Sequence, residues 1–190
     1  MEGSQIRESK GIIPLFGVYL SLFSVGYYNK LSFDFEQRLG KHRKGEAEAL
    51  LTEAAQECGY ATFQGDVSFD NNGGFSSVRS LPVVHDLSAF EGLVLKVRGD
   101  GKRYGFRLRT DASFDGVSYQ VEIVPPAGEW VEIAVPFGEF VPVYRGRLVQ
   151  GHPELDPRRI ATFGLLISRQ EGAFRLDIEA IRAIRPSDTS

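Results

Sequence analysis

Arginines are the residues of this chain best placed to do chemistry. Arg107 and Arg109 alternate with Phe106 and Leu108 in Tyr104-Gly105-Phe106-Arg107-Leu108-Arg109. A period of two puts both guanidinium groups on the polar face of one strand. Tyr119-Gln120-Val121-Glu122-Ile123 repeats the pattern, so Gln120 and Glu122 can share that face on a neighbouring strand. If the face is the concave side of a sandwich, it presents guanidinium forks beside an amide and a carboxylate. The plainer reading is a set of cross-strand Arg–Glu pairs, each contributing roughly 0.2–1 kcal/mol. Arg79, Arg98, Arg145 and Arg147 add further donors, and arginine is enriched where proteins meet. Trp130 opens a strand after a turn and reads as a core plug before a sugar platform. Phe137 and Phe140 flank Gly138-Glu139, where aromatics either staple a loop to the core or stand exposed as anchors for a partner.

Other chemistries find less support. Gly99-Asp100-Gly101-Lys102 is followed by a strand pattern, whereas phosphate binding by a glycine loop needs a helix N-terminus. Ser76 and Ser77 lie in Gly-Phe-Ser-Ser-Val, which lacks the second glycine of a nucleophile elbow. His42, His85 and His152 are scattered without ligand spacing. The single Cys58 closes no intrachain disulfide and reads as a small apolar residue. Glu122, Glu132, Asp177 and Glu179 sit at periods expected of solvated strand faces rather than as a glycosidase pair. No cofactor, metal site or catalytic group is expected.

The elements that position these residues are mostly strands. The chain has 190 residues, 42% apolar and 25% charged, with 21 glycines and nine prolines. That length suits one domain with a full core, and the breakers suit short strands and tight turns. A net charge of −3 excludes nucleic-acid binding by counterion release. Alternation predicts strands over 93–98, 104–109, 119–123, 130–135, 162–168 and 174–181. Asp100-Gly101 predicts a hairpin joining the first two. Lys41 to Cys58 carries an apolar stripe at Ala47, Leu50, Leu51, Ala54 and Ala55, predicting a helix capped by Gly59. Residues 12–28 are uncharged and apolar but contain Pro14, Gly17 and Gly26, which favour a strand or packed segment over a membrane span.

Motif order adds a resemblance. Phe63-Gln64-Gly65, Gly73-Gly74-Phe75, Val78-Arg79, Gly99-Asp100-Gly101, Tyr119-Gln120, Trp130, Pro136-Phe137, Arg145-Gly146-Arg147, Gly164 and Glu171-Gly172-Ala173-Phe174 follow one another as in the complex I intermediate-associated protein family. The chain resembles that family from about residue 59 to 184. The family's opening Trp and Asn-Asp-x-Val-Met-Gly-Gly-x-Ser element is missing, and residues 36–58 carry the charged helix instead. The resemblance implies an all-β, galactose-binding-like jelly-roll sandwich over 59–184. A divergent segment (1–58) precedes it and a tail (185–190) follows. It further implies a non-enzymatic assembly factor that binds other proteins, respiratory-complex subunits among them. The similar fold of carbohydrate-binding modules makes sugar binding the alternative. The expected partner surface comprises Arg79, Arg107, Arg109, Gln120, Trp130, Phe137, Phe140, Arg145 and Arg147. Mixed charges before residue 12 and a transit-peptide composition that is absent from residues 1–35 point to the cytoplasm, with mitochondrial or membrane-associated residence as the alternative.

Overall fold

A computed structural model of the protein describes residues 29–31, 35–38, 60–69, 74–113 and 115–185. The expected helix over 41–58 and the apolar run over 12–28 lie outside these residues. The described chain is a β-sandwich of two antiparallel sheets. Its strands are β1 (Asn29–Leu31), β2 (Phe35–Arg38), β3 (Ala61–Val67), β4 (Phe75–Ser80), β5 (Gly92–Arg98) and β6 (Tyr104–Arg109). They continue as β7 (Ser118–Ile123), β8 (Trp130–Pro136), β9 (Val141–Tyr144), β10 (Arg147–Leu148), β11 (Thr162–Ser168) and β12 (Gly172–Ile184).

The smaller sheet has five strands, in the order β1-β12-β5-β8 with β3 also paired to β12. Asp177 pairs with both Thr62 of β3 and Arg98 of β5, and Ile181 with both Leu31 of β1 and Leu95 of β5. Strands β1 and β3 therefore lie end to end along one flank of β12. The larger sheet has seven strands, in the order β10-β9-β7-β6-β11-β4-β2. Strands β1 and β2 thus bring residues from before position 59 into both sheets.

Alternation decides which side chains meet between the sheets. Leu93, Leu95 and Val97 of β5 face Tyr104, Phe106 and Leu108 of β6, all with no measurable exposure. Phe163, Leu165 and Ile167 of β11 join them. Phe63, Tyr104 and Phe174 form an aromatic cluster that spans the two layers, with ring centroids 4.8 to 6.4 Å apart. Rings at such separations add directional attraction to the burial of their large surfaces.

The expected hairpin between β5 and β6 is not formed. These strands belong to different sheets, and Gly99–Arg103 is an arch from one layer to the other. The reason is a competitor that the local pattern does not contain. Gly99 pairs with Ala127, and its N–H and that of Gly101 donate to Pro126 and Pro125 carbonyls at 3.2 and 3.1 Å. A Cβ on Gly99 would sit 2.7 Å from Pro125. Asp100 completes the arch: Oδ1 accepts from Lys102 N and Tyr104 Oη, both at 3.0 Å, and Oδ2 accepts from Arg175 N at 2.8 Å. Two alternating strands joined by Asp-Gly fit either geometry, and partners remote in sequence select the arch. No helix among the described residues is long and apolar enough to cross a membrane.

Candidate functional site

Arg98 at the end of β5 and Arg107 inside β6 lie on the outer faces of the two sheets, and the two are treated differently by their neighbours. On the smaller sheet, register aligns Thr62, Asp177, Arg98 and Trp130 across four strands. Asp177 is only 2% exposed. Its Oδ1 accepts from Thr62 Oγ1 at 2.7 Å and from Arg175 Nε at 3.1 Å. Its Oδ2 accepts from Arg98 Nε and Nη2 at 2.9 and 2.8 Å. Burial raises the carboxyl pKa. The hydrogen bonds from Thr62 and Arg98 and the Arg175 charge outweigh it, and the net position is below the ordinary value. The Arg98 guanidinium also lies 4.8 Å from the Trp130 ring centre and 5.3 Å from that of Tyr60. This cluster is closed on itself: each charge has a partner and the flat guanidinium is covered by aromatic rings.

On the larger sheet, register aligns Val141, Gln120, Arg107, Gly164 and Arg79. Arg107 Nε donates to Gln120 Oε1 at 2.7 Å. Among the described residues no carboxylate pairs with Arg107. Burial, with the neighbouring Arg109 charge, pushes its pKa down to about 10, so it stays charged at neutral pH. Two glycines shape the surface around it. Gly105 lets the Gln120 amide lie over β6, where a Cβ would stand 3.0 Å from Gln120 Cδ. Gly164 separates Arg107 from Arg79, and a Cβ there would meet Val78 O at 3.0 Å.

A groove of about 490 Å³ opens above this row, with Arg103, Arg107, Gln120, Val143, Leu166 and Gln170 among its lining residues. Its far wall is fixed by Gln170, whose amide pairs with the Arg103 backbone: Arg103 N donates to Oε1 at 3.0 Å and Nε2 donates to Arg103 O at 2.6 Å. Arg103 in turn approaches Glu122 at 3.4 Å, with both side chains exposed. Arg169 stands at the rim with a φ of 57°. Arg79 and Arg109 both donate to Ser113 O, at 3.1 and 3.4 Å, and so converge on the loop after β6.

The residues anticipated from sequence therefore divide. Arg79, Arg107, Arg109 and Gln120 share one outer face. Trp130 belongs to the opposite sheet, stacked on Arg98, and is neither a core plug nor part of that face. Phe137 and Phe140 are 8% and 5% exposed, and Phe140 packs on Phe106 at 5.8 Å. They staple their loop to the core and do not stand as exposed anchors. Arg145 and Arg147 are exposed on the β9–β10 hairpin, with Arg145 Nη2 bound to Asp115 Oδ2 at 2.6 Å. Arg103, Gln170 and Leu166 were not anticipated. Gly105 and Gly164 inside strand patterns were the available signal, because a strand glycine often marks a close approach.

Several titratable groups among the described residues have structural partners. Glu132 pairs with Arg182, and Glu179 with Lys96 at 2.9 Å. His85 and His152 pack edge-on against Phe163 and Tyr119. Among the described residues no group of His, Cys, Asp or Glu is arranged to hold a metal ion.

Comparison with known proteins gives three kinds of likeness. The family model described as Complex I intermediate-associated protein 30 matches residues 41–178. An uncharacterized protein of Schizosaccharomyces pombe is 30% identical over 170 residues, 80% of this chain and 78% of its own length. The mitochondrial Complex I intermediate-associated protein 30 of Drosophila melanogaster is 24% identical, with 72% of this chain and 54% of that protein covered. Its Mus musculus counterpart is 34% identical, with 51% of this chain and 31% of that protein covered. The chain thus spans about half or less of these two relatives. Among solved structures, a family 11 carbohydrate-binding module from Clostridium thermocellum superposes with a TM-score of 0.53 at 13% identity, covering 90% of this chain and 94% of the module. An agarase superposes with a TM-score of 0.56 at 14% identity, over 84% of this chain and 25% of the agarase. At such identities the likeness concerns the fold alone.

Proposed function

The chain belongs to the Complex I intermediate-associated protein 30 family, and from that premise we propose that it is a non-enzymatic factor that binds other proteins during respiratory-complex assembly. The match over residues 41–178 carries the reading. The outer face of the larger sheet, centred on Arg107, is the surface through which it holds a client. Arginine suits this role because its fork donates several directed hydrogen bonds at once. The relatives named as mitochondrial favour mitochondrial residence over the cytoplasmic expectation. Cross-linking of the tagged protein in intact cells, followed by affinity purification from mitochondrial and cytosolic fractions, tests both points. Respiratory-complex subunits enriched in the mitochondrial fraction are expected. Recovery of no specifically cross-linked protein would overturn the binding role.

A second reading is supported by the fold it shares with carbohydrate-binding modules. The protein would then take an oligosaccharide in the same groove. Titration calorimetry with a β-1,3-1,4-linked tetrasaccharide decides it. Saturable heat abolished by Arg107→Ala favours the sugar, and none is expected under the first reading. Trp130 is already covered by Arg98 and Tyr60, which weighs against its use as a sugar platform.

A further inference from the structure

The groove over the larger sheet has a chemical character that narrows what it can hold, given the protein-binding role on which this inference rests. Arg103, Arg107 and Arg169 line it against a single carboxylate, Glu122, and Arg103 is already beside that carboxylate. Arg107 and Arg169 are the cations left over, and Arg107 is the one held in place by a neighbour. Its Nε is taken by Gln120, which holds the guanidinium plane in place and leaves the two Nη groups without a partner among the described residues. A planar, singly charged acceptor with two oxygens fits that end of a guanidinium fork. The groove also has an apolar part: Val124, Val143 and Leu166 line it beside Ser168 and Gln170. A bare phosphate would leave that part uncovered, and among the described residues no aromatic ring lines the groove to stack on a sugar. A peptide that alternates acidic and apolar side chains satisfies both parts.

We propose that this groove is a recognition site for an acidic peptide segment of a partner protein, in which an Asp or Glu carboxylate caps the free end of the Arg107 guanidinium and an apolar neighbour packs on the exposed Val124, with Val143 and Leu166 buried beneath. Gln120 is a positioning residue, and Gly105 gives it room. The arrangement on the smaller sheet shows what neutralisation looks like in this fold: Asp177 caps Arg98 from within the chain. On the larger sheet the partner supplies the corresponding carboxylate.

The test uses the full chain and a short capped peptide alternating Glu and Val, with the same peptide carrying Gln for Glu, sodium acetate and sodium phosphate as comparators. Binding is read from the Arg107 Nε–Hε resonance in heteronuclear NMR and from fluorescence anisotropy of labelled peptide. The Glu peptide should shift that resonance saturably, and the Gln peptide should bind about tenfold more weakly or worse. Arg107→Gln should abolish binding without lowering the melting temperature, since it removes a charge that lacks a counterion. Gln120→Ala should weaken binding while keeping the charge, and it serves as the second variant if Arg107→Gln does not fold. Arg158→Gln, on the surface beside Asp156, should bind as wild type. Equal binding of Glu and Gln peptides, no binding up to millimolar peptide, or saturation by phosphate but not acetate would each overturn the proposal. Affinity purification separates it from the broader role. Clients retained equally by wild type and Arg107→Gln sink this inference and leave protein binding standing. No clients at all, with the Glu peptide still bound, does the reverse.

Discussion

Arg98, at the end of β5, and Arg107, inside β6, are the same residue type on the outer faces of the two sheets, and the energetic accounts of the two are opposite. Arg107 carries a partly buried charge that no carboxylate among the described residues offsets; burial, then the Arg109 charge, pushes its pKa down to about 10, a displacement that corresponds to a standing cost of order 3 kcal/mol. Replacing it by Met removes that cost while keeping the stem that packs on the sheet. Arg107→Met is therefore expected to raise stability by about 1–2 kcal/mol in urea unfolding, and a loss of stability would mean that the fold itself needs the guanidinium. Asp177 behaves in the other sense. Asp177→Asn leaves Arg98 and Arg175 without their shared anion and is expected to cost about 3 kcal/mol. The sign of its pH dependence follows from a carboxyl whose folded pKa lies below its ordinary value of 3.8. Its stabilisation is complete above that value and is lost as pH falls below it, through the depressed folded pKa. Wild type should thus lose stability on acidification more steeply than Asp177→Asn. Equal slopes would show that the cluster does not titrate with folding.

At the level of elements, the arch over Gly99–Arg103 and the loop after β8 explain where the site stands. The arch carries the chain between layers, so that β5 supplies Arg98 to one face and β6 supplies Arg107 to the other. Asp100 is the pin, since one carboxylate takes two backbone N–H groups and the Tyr104 hydroxyl. Asp100→Ala should cost about 2–3 kcal/mol, read by thermal unfolding. Gly99→Ala should cost roughly 1–3 kcal/mol because its Cβ would meet Pro125 O at 2.7 Å. The Phe137–Glu139 turn after β8 is a 3-10 turn whose flanking rings are buried. Phe140→Ala is expected to cost about 3–4 kcal/mol and to lower the melting temperature. An unchanged melting temperature would return Phe140 to the surface role its sequence context allowed.

For the whole molecule, consecutive described strands lie in different layers after β1, β2, β3, β4, β5, β7, β8 and β11, so neither sheet is closed by neighbours in sequence alone. Strands β1 and β2 pair with the flanks of β12 and β4 in opposite layers. Deleting residues 29–38 uncovers backbone on both, and exposed strand edges template association. The deletion variant is expected to melt at lower temperature and to aggregate in light scattering; a monomer of unchanged stability would show that these strands are dispensable. Much of this architecture is legible along the chain. Alternation identifies the strands from Leu93 to Ile181, because a half-buried strand imposes its period on the residues that form it. The same period places Arg107, Arg109, Gln120 and Glu122 on shared faces. The family resemblance, carried by widely spaced glycines and aromatics, brings the sandwich with it. What local pattern does not contain is which strand lies beside which. The Asp100-Gly101 turn fits a hairpin as well as an arch, and only Pro125, Pro126 and Arg175, each remote in sequence, decide between them. The same holds for the site. Period two makes Arg98 and Arg107 look alike, and only register across β12 gives Arg98 the Asp177 carboxylate while register across β7 gives Arg107 an uncharged amide. Charge neutralisation is a property of pairs brought together by pairing in space, which is why the tertiary structure alone distinguishes an arginine paired with a carboxylate from one that has none among the described residues.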